Sequence, residues 1–419
     1  MLFAASTVSA TVFSHVAARG PLLSGHDSFR VNRTVLSVFG LKPARIGGTE
    51  SYARELSMQL GRHGWKSVLC FEALPPPSVE EYLGLPNVSF EVVQNVWRPA
   101  WKPARDLSRL LRRYRPAILH LQYTGFLSLY PWLAYLHGAQ KVFFTDQASR
   151  PEGHVISCAP AWKRAVARLV NRPLTSVISI SDYNRRCVVE AGLLPDSRVR
   201  RIYNSVSLSR RDASIELRAA FRRRYGIPDN RVVILQVSWI IPEKGIVDLL
   251  NAARLVLDRE PNVHFVLAGE GRFREEYTKR AKEAGIDGNV SWTGLVTDPF
   301  AEGLYAAADI VCQMSRWEEG FGWVIAEAMV YGKPVVGTRV GAIPEIVKDG
   351  VTGFLVNRGD SPGMADVLTK LVRDEHLRRT LGATGCAVAE REFDLADNVK
   401  RVLQLYGIVG NQGSAVEIP

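Results

Sequence analysis

Two successive series of short, β-branched apolar segments, each segment followed by a helical pattern, constrain this chain more than any other feature. The first series opens with TVLSVFG, a helix over about residues 49–62 and KSVLCF, then continues through AILHLQ, KVFFTD and SVISIS. After VRRIYNS the pattern starts again with RVVILQVS, a helix from Gly245, NVHFVLAG, NVSWTG and ADIVCQ. Continuous apolar strands spaced by helices are buried on both faces, as in parallel sheets covered by helices. Two series of similar length predict two doubly wound α/β domains, with the joint around Asn204–Asp212 where the periodicity lapses. A length of 419 residues agrees, because one ordinary core does not grow that large. The expected organisation is a loose extension over residues 1–30, a first domain over 31–208, a second over 209–393 and a last helix over 394–410.

The opening stretch MLFAASTVSATVFSHVAARG has no basic leading region and contains a histidine, so it reads as that loose extension, with a signal peptide as the alternative. No apolar run approaches the ~18 residues that cross a bilayer. The five cysteines, Cys70, Cys158, Cys187, Cys312 and Cys386, are scattered and odd in number, which points away from a disulfide framework and towards a reducing, cytoplasmic compartment.

Ligands of doubly wound sheets sit outside the carboxyl ends of strands, where loops feed helix starts. Four loops of this kind stand out: GLKPARIGGTE, WIIPEKG, LAGEGR and SRWEEGFG. Their agreement places a site in a cleft between the domains. Gly320 and Gly322 allow a tight turn into a helix whose free N–H groups form an anion site. Glu327, inside that helix, suits a vicinal diol such as ribose, and Glu319 suits a sugar hydroxyl near the phosphate. On spacing alone the plainer reading is favoured, with Glu318 and Glu319 as solvated loop acids and Glu327 as the partner of a neighbouring base. Lys244 could neutralise a diphosphate or be a plain surface charge. Gly47 and Gly48 would let the backbone approach phosphate or form an ordinary turn. LAGEGR lacks the spacing of a dinucleotide fingerprint. No D-x-D occurs, so the chemistry is expected to need no metal and no cofactor.

The stretch EEGFGWVIAEAMVYGKPVVGTRVGAIPEIVKDGVTGFLV, preceded along the chain by GGTESYARELSMQLGRHGW, PEKG, LAGEG and TGLV in that order, resembles the retaining glycosyltransferases of family four. The resemblance covers about Thr34 to Val409. It implies the GT-B fold, two Rossmann-like doubly wound domains facing a central cleft, and a final helix crossing back to the first. It implies a UDP-sugar or GDP-sugar donor bound by Gly47, Gly48, Ser238, Lys244, Gly294, Val296, Glu319, Gly320, Phe321, Gly322 and Glu327. Catalytic roles fall by the same resemblance to Glu319 and Lys244, with Asp146 the residue to watch on the acceptor side, where a structural turn is the other reading. The leaving diphosphate would be stabilised by N–H groups and lysine, with no protein nucleophile. The chain departs from the family in two places. Trp239 stands where an arginine is expected, leaving Arg45 or Arg339 to supply that charge. KVFFTDQASR offers Thr145, Asp146 and Gln147 where a histidine is usual, and His120 on its strand reads as a packed core residue. These departures keep a degenerate sugar-nucleotide binder, or an epimerase of the same fold, as alternatives.

Charge is uneven. Through Ser205 there are 26 Lys+Arg against 13 Asp+Glu, a net of +13, whereas from Val206 onward there are 27 against 29, a net of −2. The front half therefore expects an anionic partner: a lipid-linked or polysaccharide acceptor, and an anionic membrane surface met by Trp97–Ala117 at the cytoplasmic face. In that segment Leu107, Leu110 and Leu111 would share one helix face, which by the ordinary rule packs on the sheet, with lipid as the alternative. Ala161–Arg172 is a second segment of the same type. No motif for nucleic acid accompanies the charge, so none is expected as a partner.

Overall fold

The structure is a computed structural model and describes residues 32–98, 100–210 and 214–410. The extension over 1–30 lies outside the described residues, as does Asp212 at the expected joint.

Two entirely parallel sheets organise the chain. The first comprises β1 (Thr34–Phe39), β2 (Lys66–Phe71), β3 (Val88–Val92), β4 (Ile118–Gln122), β5 (Lys141–Asp146), β6 (Ser176–Ser179) and β7 (Val199–Arg201), in the order β3-β2-β1-β4-β5-β6-β7. The second comprises β8 (Val232–Val237), β9 (Val263–Ala268), β10 (Val290–Gly294), β11 (Ile310–Gln313), β12 (Val335–Thr338) and β13 (Gly353–Val356), in the order β10-β9-β8-β11-β12-β13. Both are doubly wound. The strand order reverses between β1 and β4 in one sheet and between β8 and β11 in the other, which are the places where such sheets open a crevice.

Strand alternation explains why each sheet is covered twice. Val233, Leu235 and Val237 of β8 enter one core, while Ile234 between them enters the core on the opposite face. In β1, Leu36 and Val38 face a core shared with the helix Trp101–Tyr114, whereas Val35 faces one shared with the helix Leu395–Tyr406. Successive side chains on a strand point to opposite faces, so an unbroken apolar run is what double burial requires.

The last helix starts at Asp394, whose carboxylate accepts from the Asp397 N–H at 2.9 Å, and packs Val399, Val402, Leu403 and Tyr406 against Leu56 and Leu60 of the helix Gly48–Arg62. Further contacts join the two sheets. Arg150 and Glu318 exchange backbone hydrogen bonds at 2.9 and 3.0 Å. The Ile46 N–H donates to the Thr297 carbonyl at 3.0 Å. Glu345 accepts from the N–H groups of Asp182 at 2.8 Å and Tyr183 at 2.5 Å, capping the helix Asp182–Val189 from the other half.

Candidate functional site

The loops that follow β1, β4, β8 and β11 meet over both crevices. They enclose a cavity of about 330 Å³ whose lining includes Arg45, Tyr123, Gln147, Lys244, Glu319 and Trp323. The helix Trp323–Val330 points its start into this space. Gly322 precedes it with φ of 98°, a left-handed conformation that glycine adopts without strain, and this turns the chain sharply out of the SRWEEGFG loop. Six of the eight residues of the helix are buried, so it is held as an interior element with its amino end at the cleft. Among the described residues no protein group accepts from the N–H of Gly322, Trp323 or Val324. Those amides and the positive end of the helix dipole together make an anion site.

Beside it lies a buried ion pair. Lys244 Nζ stands 2.5 Å from Glu319 Oε1. Ser315 donates a hydrogen bond to the same oxygen, and Gln313 Nε2 donates at 3.3 Å. Ser149 Oγ donates to the other oxygen at 3.3 Å and accepts from the Gly320 N–H at 3.3 Å. Burial opposes ionisation of Glu319, but Lys244 and the hydroxyl donors outweigh it and hold the carboxyl below the ordinary glutamate value. Lys244 is placed by a short 3-10 turn, Pro242–Lys244, that ends at Gly245. Gly245 has φ of 64°, and a Cβ there would lie 1.8 Å from the Met314 carbonyl oxygen, so the loop after β8 can reach the loop after β11 only through glycine.

Comparison with known proteins gives this geometry a family. The model described as "Glycosyl transferases group 1" matches residues 218–386, and that described as "Glycosyltransferase Family 4" matches residues 46–210. The chain belongs to glycosyltransferase family four. An alpha-D-kanosaminyltransferase of Streptomyces kanamyceticus is 30% identical over 240 residues, 57% of this chain and 62% of that protein. This match therefore spans less than two thirds of the relative's length. A phosphatidyl-myo-inositol mannosyltransferase of Mycobacterium leprae is 27% identical over 377 residues, 89% of this chain and 96% of that one. Among solved structures, Anabaena HepE, crystallised with UDP and glucose, superposes with a TM-score of 0.72 at 20% identity, covering 90% of this chain and all of its own. The fold is GT-B, and the protein is a glycosyltransferase.

Within this glycosyltransferase, Ser238, Lys244, Glu319, Gly320, Phe321 and Gly322 line the one cavity. The other expected positions do not. Gly47, Gly48 and Glu327 line a separate space of about 10 Å³. The reason is steric: Trp323, which lines the main cavity, packs so closely on Gly48 that a Cβ there would lie 2.2 Å from its ring. Glu327 accepts a hydrogen bond from the Tyr305 hydroxyl, which burial and that carboxylate push well above the ordinary tyrosine range. Val296 is a core residue, and Gly294 closes a backbone bridge to Gly269, whose N–H donates to the Gly294 carbonyl at 2.9 Å; Leu295 between them lines the cavity. Asp146 pairs with Arg150 at 2.8 Å and faces a second cavity of about 610 Å³ lined by Phe126, Leu127, Phe144 and Ile156. Its neighbour Gln147 reaches the main cavity instead, in a reciprocal amide pair with Asn204.

Of the two arginines considered for the charge absent at Trp239, Arg45 lines the cavity. Arg339 is tied to Asp349 at 2.5 Å outside it. Glu318 is no solvated loop acid: it is buried, bonded by Arg358, and accepts from the Gly341 N–H at 2.7 Å. His120 is buried between Tyr406 Oη and Thr145 Oγ1, each at 2.6 Å, and burial lowers it to about 3. Sequence reasoning missed Tyr123, Ser149 and Gln313 as site residues. Each follows or ends a strand facing the cleft, which is the only signal that could have singled them out.

Proposed function

We propose that the protein moves a sugar from a nucleoside diphosphate sugar, UDP- or GDP-linked, to an acceptor with retention of anomeric configuration and without a metal. The observation that carries this reading is the Lys244–Glu319 pair lying in one cavity with the unpaired amides at Gly322–Val324. A diphosphate brought there meets N–H donors and a lysine at once, and both are aimed before the bond breaks. Lys244 would then exchange part of its hold on Glu319 for the phosphate, leaving the ionised carboxylate to accept sugar hydroxyls. Arg45 from the other sheet stands in for the cation that Trp239 cannot provide. Bond cleavage at the anomeric carbon leaves its electron pair on the diphosphate oxygen. The acceptor hydroxyl attacks from the same face and gives its proton to that leaving oxygen, so no protein nucleophile is required.

The acceptor is read as a lipid-linked or polysaccharide precursor. The second cavity supports a lipid-linked one, since it joins apolar side chains with Arg150, His154 and Lys163. The Mycobacterium leprae relative is, by its name, a mannosyltransferase of phosphatidyl-myo-inositol. Turnover with a panel of UDP- and GDP-sugars tests the reading. Nucleoside diphosphate release that depends on acceptor is expected, and binding without release would identify a sugar-nucleotide binder instead.

A further inference from the structure

Exposed apolar side chains gather on one side of the first sheet. Trp162, Val166 and Leu169 of the helix Ala161–Val170 are 68%, 40% and 62% exposed. Their i, i+4, i+7 spacing makes one stripe, and Ala167 is the only buried residue of that helix. Leu129, Tyr135 and Leu136, at the helix Tyr130–Leu136, are 62%, 61% and 73% exposed. The two helices adjoin, for the Trp132 indole N–H donates to the Leu169 carbonyl at 3.0 Å. An amphipathic helix ordinarily sets its apolar stripe on the core, and a patch of this kind left outside marks an interaction surface. The contrast with the neighbouring helix Trp101–Tyr114 is direct. There Leu107, Leu110 and Leu111 are buried in the sheet's core, so the leucines of the Trp97–Ala117 segment cannot be the apolar contact that the sequence offered.

The surroundings of the patch are basic. Residues 97–172 contain 13 Lys+Arg against 3 Asp+Glu. All three acids are already engaged, Asp106 with Arg109, Asp146 with Arg150 and Glu152 with Arg316. Arg168 and Arg172 are exposed beside the stripe, as are Arg109 and Arg112 on the Trp101–Tyr114 helix. That helix adjoins the patch through Ser108 Oγ and His137 Nε2, 2.7 Å apart.

We infer that the face built by the helices Tyr130–Leu136 and Ala161–Val170 seats the protein on an anionic phospholipid bilayer, with the Trp101–Tyr114 helix contributing charge and its exposed Trp101 but none of its leucines. Charge complementarity selects this occupant. A second copy would bring two strongly basic rims together, whereas acidic headgroups neutralise them while the apolar stripe enters the headgroup boundary. Tryptophan and tyrosine at the rim of an apolar patch suit that boundary, having an apolar body and a polar edge. The second cavity, lined by Pro160 and Lys163 at the start of the Ala161–Val170 helix, opens next to the same face. A lipid-linked acceptor would thus pass from the bilayer to the cleft; that step rests on the proposed transferase activity, while docking does not.

Flotation of the full chain with vesicles tests the docking, using phosphatidylcholine alone and phosphatidylcholine containing phosphatidylglycerol, at low and high salt. Binding to the anionic vesicles, weakened by salt, is expected, with little to neutral ones. Trp162→Ser combined with Leu169→Ser should weaken vesicle binding about tenfold or more while leaving the melting temperature and its rise with UDP or GDP unchanged. Val166→Asp, a single change on the same stripe, should do the same and guards against misfolding of the double variant. Absence of flotation overturns the inference, as does flotation that survives both variants. A wild-type dimer that Val166→Asp dissociates, without lipid binding, overturns it in favour of a protein interface. Flotation without any nucleotide-induced rise in melting temperature would leave docking standing and remove the proposed transferase reading.

Discussion

Glu319 ties together four side chains from three loops, and its partner Lys244 is the residue on which the anion site depends most. Lys244→Ala leaves a carboxylate buried without its cation, which costs about 3–5 kcal/mol of stability. It should also abolish the rise in melting temperature with UDP or GDP. Lys244→Ala combined with Glu319→Ala should recover much of the stability in urea melts and none of the nucleotide response, which separates folding from binding. Because the folded Glu319 carboxyl is lower than in the unfolded chain, the pair's stabilisation is complete above the ordinary glutamate range and is lost only as pH falls below it. Trp239 carries a second prediction at this scale. It is 59% exposed at the cleft, so Trp239→Arg should be tolerated and should tighten UDP or GDP binding in isothermal titration. Arg45→Ala should weaken the same binding while leaving that of uridine or guanosine nearly untouched, since the charge addresses phosphate and not base.

Among elements, the helix Trp323–Val330 and the helix Gly48–Arg62 meet where Trp323 lies on Gly48. Gly48→Ala places a Cβ 2.2 Å from that ring and should cost about 1–3 kcal/mol by overpacking. Trp323→Ala in the same chain should remove that added cost, as thermal melts of the two singles and the double would show. The strand β4 and the last helix are joined through His120, which stays neutral in the fold down to about pH 3. The unfolded chain takes up that proton below about pH 6.5, so stability should fall as pH drops from there towards 3; His264, lowered to about 4, adds to the fall with the same sign. His120→Gln should flatten this decline in urea melts at pH 7 and 5. Most strands were readable from unbroken apolar runs, because double burial writes itself into every residue. β3, β12 and β13 were not named as strands: glycine interrupts the apolar run in β12 and opens β13, and β3 is a half-exposed edge without an unbroken buried run. For the Trp101–Tyr114 helix the sequence favours packing on the sheet over lipid, and Leu107, Leu110 and Leu111 are buried there.

For the whole molecule, the alternation of runs and helices was enough for two doubly wound sheets, because crossover helices leave few other arrangements. The cleft was legible only in part. Loops after strands gave Lys244, Glu319 and Gly322, whose positions follow from local geometry. Glu327 and Val296 lie outside the cavity because packing between distant segments decides their places: Trp323 on Gly48 and the core around Val296. No helix among the described residues is long and apolar enough to cross a membrane. The most direct measurement is a crystal structure of the protein soaked with UDP or GDP. The account predicts diphosphate oxygens within hydrogen-bonding distance of the N–H groups at Gly322–Val324 and of Lys244 Nζ, with that lysine drawn away from Glu319. A nucleotide bound elsewhere, or bound with the Lys244–Glu319 contact intact and those amides unused, would contradict it.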